Sequence, residues 1–226
     1  MSKVFVIIPA YNEASRSSRF VATLTKLSSF PYQTVVVDDG SADDTATVAR
    51  QWVGVVRHPI NRGQGAALMT GMQYAVQHGA DIVVHFDADG QMQTEDIARV
   101  IEPLETDSTV DVVLGSRFLD QTRPAAVPWL KKYLLQRPAL LFQRVTTGLH
   151  LTDVHNGFRA FRASAIAKLS LQQDGMAHAS EITAQIKKQK LNYREVPVTI
   201  HYYEFGQGLS GGLRIIRDLI IRKIIK

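Results

Sequence analysis

The sequence contains no cysteine and no long apolar run. Among its 226 residues the lack of cysteine excludes a disulfide scaffold and a thiolate metal site, and it fits a reducing compartment. No stretch reaches the roughly 18 apolar residues that a membrane-spanning helix needs. The apolar run near the N-terminus, at residues 4–8, is too short for the core of a signal peptide. We therefore expect a cytoplasmic protein without a membrane-spanning segment.

The composition favours one globular domain with a basic surface. Hydrophobic residues make up 45% and charged residues 21% of the chain, which is enough to bury a core. The formal net charge of +5 is compatible with nucleic acid, anionic lipid or a phosphorylated substrate as a partner. We predict one domain over residues 1–212, followed by a basic helix over residues 213–226.

Short apolar runs alternate with helical patterns along the chain. Runs typical of strands lie at residues 3–8, 34–37, 53–56, 81–86 and 110–114. This alternation predicts an α/β fold whose mostly parallel sheet is flanked by helices. Further along, residues 193–200 alternate as a strand, and Pro197 favours an edge position for it.

Asp87 and Asp89 come directly after the fourth predicted strand. Two carboxylates this close repel each other unless a cation lies between them, and such oxygen ligands suit Mg²⁺ or Mn²⁺. A solvated turn that caps the next helix is the alternative. Parallel sheets bind ligands beyond the carboxyl ends of their strands. Other polar clusters follow predicted strands at that same edge, namely residues 11–13, 38–39 and 116–117, and this convergence favours a site for metal and phosphate.

Two glycine-containing turns each have two interpretations. Gly63-Gln64-Gly65 departs from the dinucleotide-binding pattern because Leu68 fills the third glycine position. This loop can bring backbone N–H groups near an anion, or it can simply make a tight turn. The turn at residues 38–41 can likewise accept hydrogen bonds from a base or ribose, or serve only as a turn.

In their order along the chain, these motifs resemble those of the family 2 glycosyltransferases of the GT-A fold. Within that family they resemble the synthases of dolichyl- or polyprenyl-phosphate mannose or glucose. The matching segments are residues 8–13, 37–41, 61–65, 87–91, 115–117 and 156–159. The resemblance implies transfer of a sugar from a UDP- or GDP-sugar to a polyprenyl phosphate or other lipid, with inversion at the anomeric carbon. The alternatives are transfer to a glycan hydroxyl and a catalytically silent nucleotide-sugar binding module.

The resemblance also implies roles for individual residues, and it implies no nucleic acid partner. The nucleotide would contact Pro9, Tyr11, Glu13, Asp38, Asp39 and Asp87. The cofactor, Mg²⁺ or Mn²⁺, would be held by Asp87, Asp89 and Gln91. The acceptor phosphate would be bound by Arg117, Lys131, Lys132 and Arg159. The catalytic residues would be Asp89, Arg117, Asp153 and Glu181, of which the last two are the candidate bases for a hydroxyl acceptor. Many members of the family that the sequence resembles carry lysine where Gln64 stands, so a charged contact from that loop does not carry over to this chain.

The final predicted element is an amphipathic helix. Over residues 213–226, four aliphatic residues at helical spacing are accompanied by five basic residues and one acid. Such a basic helix predicts a peripheral protein on the inner face of the membrane. A helix packed on the core or in a dimer interface is the alternative. A second copy of the chain and a separate membrane subunit are the candidate protein partners.

Overall fold

A computed structural model describes residues 2–16, 18–119, 149–153, 156–175 and 177–201. The described strands form one seven-stranded sheet in the order β3-β2-β1-β4-β6-β5-β7. They are β1 (Val4–Ala10), β2 (Gln33–Asp38), β3 (Gly54–Arg57), β4 (Ile82–His85), β5 (Val112–Ser116), β6 (Arg159–Arg162) and β7 (Tyr193–Pro197). The described helices are α1 (Ser18–Ser28), α2 (Thr45–Ala49), α3 (Gln64–Gln77), α4 (Asp96–Thr106), α5 (Ala163–Ile166) and α6 (His178–Lys188).

The predicted mostly parallel sheet with helices on both faces is confirmed. Strand β1 is buried along its whole length and pairs in parallel with β2 and β4. Continuous apolar strands of this kind need cover on both faces. One buried cluster contains Leu24 of α1 and Val100 of α4, and the other contains Met72 of α3 and Ile186 of α6.

Strand β6 is not among the strands predicted from the sequence. It pairs antiparallel with both β4 and β5, so these two strands are not neighbours. Its four residues include two arginines and therefore lack the apolar run by which the other strands are recognised. Arg162 is accommodated because its Nη2 and Nε donate to the carbonyls of Leu104 and Val110 at 2.7 and 3.1 Å. In the β6 register Arg159 lies opposite His85, so residues 156–158 run beside the end of β4.

The edge position expected from Pro197 is confirmed, because β7 is the last strand of the sheet. The strand is shorter than predicted and ends at Pro197. Among the described residues, no helix combines the length and the hydropathy needed to cross a bilayer. Lys131, Lys132 and the predicted helix over residues 213–226 lie outside the described residues.

Candidate active site

A pocket opens at the sheet edge where β4 and β5 end and β6 begins. It is lined by Asp87, Asp89, Gln91, Met92, Arg117, Asn156, Gly157 and Ile200. The antiparallel direction of β6 explains this meeting, because the residues before β6 lie at the same edge as the residues after β4 and β5. The structure thus brings together four of the residues that the sequence predicts for the site, namely Asp87, Asp89, Gln91 and Arg117.

Asp87 is fixed from two sides. Gln64 donates from Nε2 to its Oδ1 at 3.2 Å. Its Oδ2 lies so near the turn before β6 that a Cβ on Gly157 would stand only 3.1 Å from it. Burial, followed by the charge of Asp89, raises the pKa of Asp87 to about 7. This carboxylate is therefore poorly stabilised as an anion by the protein alone.

Asp89 and Glu13 add negative charge beside Asp87. Burial raises the pKa of Asp89, although its Oδ1 accepts a hydrogen bond from the Gln91 backbone N at 2.9 Å. Burial also raises the pKa of Glu13, with a smaller contribution from the charge of Asp89. Gln91 thus contacts Asp89 through its main chain, and its predicted role as a metal ligand stays a prediction.

Arg117 is held at the pocket by a bidentate ion pair with Asp153. Its Nε donates to Oδ2 at 2.6 Å and its Nη2 to Oδ1 at 2.7 Å. The backbone N of Arg117 also donates to Oδ2 at 3.2 Å. The Asp153 side chain is fully buried while that of Arg117 is 18% exposed, so the pair fixes a planar cation at the pocket wall. In this structure Asp153 positions Arg117.

Glu195 of β7 holds the segment that carries Asp153, and the sequence analysis did not single it out. Its Oε1 accepts hydrogen bonds from the backbone N and the Oγ1 of Thr152, both at 3.0 Å. The same hydroxyl lies 2.6 Å from Ser116 Oγ at the end of β5. An acid on an alternating edge strand carries no sequence signal for such a contact, because its partners are more than 40 residues away.

Arg159 is buried and is not among the residues that line the pocket. Its Nε donates to the Asn156 carbonyl at 3.2 Å, and its Nη1 donates to the Ala179 carbonyl at 3.3 Å. Burial lowers its pKa to about 10, against the opposing influence of the nearby Asp153 and Asp87 carboxylates. The guanidinium therefore stabilises both carboxylates from inside the fold, and direct contact with an acceptor phosphate stays a prediction.

Two buried histidines, which the sequence analysis left without a role, lie in the electrostatic field of Arg159. Burial lowers the pKa of His178 to about 4, and the charge of Arg159 lowers it further. The pKa of His85 is lowered well below its usual range by burial and then by Arg159. Both rings are therefore neutral near pH 7 and add no positive charge beneath the pocket.

The two aspartates of the second predicted motif are built into turns. Asp38 accepts a hydrogen bond from Ser41 N at 3.0 Å and pairs with Arg57 Nε at 2.9 Å. Asp39 lies 2.7 Å from His58 Nδ1 through one oxygen and accepts from Gly63 N at 2.6 Å through the other. These contacts support the turn-forming interpretation, and the nucleotide-binding role of the pair stays a prediction.

The remaining predicted nucleotide contacts lie at the end of β1. Pro9 is buried in the strand, whereas Tyr11 is 42% exposed. Asn12, with a φ of 54°, turns the chain and donates from its backbone N to Ser41 Oγ at 2.9 Å. The loop after β1 is thereby tied to the loop after β2, and an aromatic ring is left accessible at the sheet edge.

The glycine loop before α3 is covered by another segment of the chain. The backbone N of Gly65 donates to the Asp174 carbonyl at 2.8 Å, and a Cβ on Gly65 would come within 2.1 Å of the Gln173 carbonyl. The glycines therefore permit a close approach of backbone, and the anion-binding interpretation finds no support here. Glu181 accepts from the backbone N of Gln172 and of Gln173 at 2.9 and 2.8 Å and lies outside the pocket lining, so its catalytic role stays a prediction.

Comparison with known proteins identifies the family. Residues 5–170 match the model of the family described as glycosyl transferase family 2. The chain belongs to this family. It is 34% identical over 249 residues to the UDP-N-acetylglucosamine–dolichyl-phosphate N-acetylglucosaminyltransferase of Methanococcus voltae, covering 99% of this chain and 97% of that one. It is 31% identical over 223 residues to the undecaprenyl-phosphate mannosyltransferase of Micrococcus luteus, covering 93% and 89% respectively. The protein is a glycosyltransferase.

The GT-A fold is confirmed by a solved structure. Glucosyl-3-phosphoglycerate synthase from Mycobacterium tuberculosis, in complex with Mn²⁺, UDP and phosphoglyceric acid, matches 97% of this chain and 76% of its own with a TM-score of 0.73. Another structure of that enzyme contains Mg²⁺ and UDP. At 19% identity this likeness establishes the fold alone.

The carboxylates of the pocket fit a divalent cation. The raised pKa values of Asp87 and Asp89 indicate two partly buried acids whose ionised forms a nearby cation would stabilise. Oxygen ligands of this type suit Mg²⁺ or Mn²⁺. No cluster of three or more acids or histidines in the described part of the chain could hold a metal. A cation at Asp87 and Asp89 would need further oxygen ligands, which the Gln91 amide, water or substrate could supply.

We expect Asp87→Asn to stabilise the metal-free protein increasingly as the pH rises. The folded pKa of about 7 lies above the reference value of 3.8, so the unfolded chain releases this proton first. The free energy of unfolding contributed by Asp87 therefore falls between about pH 4 and about pH 7. Urea denaturation in EDTA measures the free energy of unfolding. Across this pH range its value for the variant, relative to wild type, should increase.

Wild type and Asp87→Asn also test whether a divalent cation binds at Asp87. Mn²⁺ added at about pH 8 should raise the melting temperature of the wild type and leave Asp87→Asn unchanged. Glu102→Gln, the same chemical change at an exposed position on α4, serves as the control and should respond to Mn²⁺ like wild type. If the difference in the free energy of unfolding between Asp87→Asn and wild type were the same at all pH values, the raised pKa of Asp87 would be contradicted.

Proposed function

We propose that this glycosyltransferase transfers a sugar from a UDP- or GDP-sugar to a polyprenyl phosphate, with Mg²⁺ or Mn²⁺ as cofactor and inversion at the anomeric carbon. The observation that carries the proposal is the pocket in which two poorly stabilised carboxylates and an anchored arginine lie together. Relatives that match nearly the whole chain are named for transfer to dolichyl or undecaprenyl phosphate, which supports the acceptor class.

In the proposed complex with the sugar-nucleotide donor, the diphosphate would lie beside Asp87 and Asp89. These residues would hold the cation, which when bound supplies charge neutralisation to the departing diphosphate. The nucleoside would lie along the ends of β1 and β2, where the exposed ring of Tyr11 offers a face for the base. Pro9, Glu13 and Asp39 border the same edge.

The acids present in the pocket bear on whether the acceptor is a hydroxyl or a phosphate. A hydroxyl acceptor needs a base, whereas a phosphate monoester is already an anion near neutral pH and needs mainly positioning. Asp87 and Asp89 are the only acids among the described lining residues. Asp153 is engaged with Arg117 through both oxygens, and Glu181 binds backbone outside the lining. This distribution favours the phosphate acceptor, with Arg117 as its contact in the pocket.

Calorimetry with UDP-N-acetylglucosamine and GDP-mannose, in Mn²⁺ and again in EDTA, tests the donor half. We expect one nucleotide class to bind in Mn²⁺ and to lose its binding in EDTA. Asp89→Ala should abolish this metal-dependent binding, and Glu102→Gln should retain it. Equal binding in EDTA would contradict the metal site, and an absence of binding to either sugar nucleotide would contradict the function.

Arg117→Ala should impair use of the acceptor more than binding of the donor. Loss of a charge-assisted contact to phosphate should raise the KM for a polyprenyl phosphate by about tenfold to a hundredfold, while the donor Kd changes little. Steady-state kinetics with a short-chain polyprenyl phosphate, beside donor calorimetry, makes the comparison. Arg50→Ala, at an exposed position next to α2, is the matched control. Equal losses for donor and acceptor would refute the role.

The amphipathic C-terminal segment is proposed to keep the enzyme on the inner membrane surface, next to its lipid acceptor. Removal of residues 213–226 should release the protein from anionic vesicles, because both the apolar stripe and the basic side chains are lost. A variant with Arg214, Arg217 and Arg222 changed to Gln retains the stripe and should bind vesicles with a weaker salt dependence. Co-sedimentation measures both, and unchanged binding of the truncated protein would favour a helix packed on the core or in a dimer interface.

A further inference from the structure

Among the described residues, Asn156 carries a side-chain hydrogen-bond donor at the pocket that has no partner. The residue is only 6% exposed and belongs to the pocket lining. Its Oδ1 accepts from the backbone N of Phe158 at 3.0 Å, which settles the orientation of the amide group. Its Nδ2 has no hydrogen-bond partner in the part of the chain that the structure describes. Buried donors are rarely left unpaired, because removing them from water is unfavourable.

The turn that carries this amide is rigidly held. The Asn156 carbonyl accepts from the buried Nε of Arg159, and the next residue, Gly157, lies against Asp87. The side chain is in turn fixed by its bond to Phe158 N. A donor restrained through both main chain and side chain is preorganised for a ligand atom, and it loses little freedom on binding.

We propose that Asn156 Nδ2 donates a hydrogen bond to an oxygen of the bound sugar nucleotide, in either its diphosphate or its sugar. This inference rests on the proposed function and names a contact within the same pocket. An uncharged donor suits this position beside Asp87, because it can bind an anionic or hydroxyl oxygen without competing electrostatically with a cation held by Asp87 and Asp89.

Two substitutions separate ligand binding from support of the turn. Asn156→Asp retains an acceptor for Phe158 N and loses the donor, whereas Asn156→Ala loses both. A purely structural role predicts that Asp restores what Ala impairs. A contact to the ligand predicts that both variants weaken binding, and Asp more strongly because its charge repels an anionic oxygen.

Calorimetry with UDP, UDP-N-acetylglucosamine, GDP and GDP-mannose in Mn²⁺ is the measurement, with melting temperatures recorded for every variant. We expect a Kd about tenfold higher for Asn156→Ala and a larger increase for Asn156→Asp. Equal losses for the nucleotide and its sugar conjugate locate the oxygen in the diphosphate, and a loss confined to the conjugate locates it in the sugar. Gln51→Glu makes the same amide-to-carboxylate change at an exposed position before β3, far from the pocket edge, and should bind like wild type.

Wild-type affinity in Asn156→Asp would overturn the inference while leaving the proposed function intact. Absence of sugar-nucleotide binding by the wild-type protein would overturn both. If Asn156→Ala does not fold, Asn156→Asp alone decides, because it keeps the bond to Phe158 N.

Discussion

The structure is organised around two acids placed at the buried end of a parallel strand. Asp87 follows β4, the strand between β1 and β6, and lies where protein alone poorly stabilises its charge. Asp89 and Glu13 add to that disadvantage, and two other neighbours moderate it. Gln64 offers a neutral donor, and Arg159 offers a buried cation that is shared with Asp153. A site left short of positive charge in this way is suited to a ligand that brings a cation with it.

A second set of contacts positions Arg117, the positively charged residue that lines the pocket. Glu195 on the edge strand holds Thr152, the next residue is Asp153, and Asp153 holds Arg117. These contacts join the end of β5 and the middle of β7 to the segment before β6. Both the backbone N and the guanidinium of Arg117 are therefore held by Asp153. The guanidinium can bind an anion with little further loss of side-chain freedom. An edge strand far from Asp87 along the sheet thus contributes to the same pocket.

The sequence predicts the part of this design that depends on local patterns. Apolar runs reveal the parallel strands, and the acids after β4 are recognisable because they interrupt such a run. Strand β6 escapes prediction because its two arginines interrupt the apolar pattern, and the contact that accommodates Arg162, its bond to the Leu104 carbonyl, joins residues far apart in the chain. The partners of Asp153 and Glu195 depend on sheet order, which spacing along the chain does not encode. The Asn156 Nδ2 donor, which lacks a partner among the described residues, likewise becomes recognisable only when the turn before β6 is placed beside Asp87.

The residue at position 64 shows how a single side chain in the sequence changes the electrostatics of the folded site. A lysine there would place a full positive charge near Asp87 and favour its ionised form. The glutamine of this chain donates at 3.2 Å without charge, so it favours the ionised form of Asp87 less than a lysine would. The same reasoning applies to Asn156, which meets the pocket with an uncharged donor. The amides of Gln64 and Asn156 add no positive charge at the acids, whereas Arg159 from inside the fold and Arg117, whose position Asp153 fixes, do add positive charge to the site.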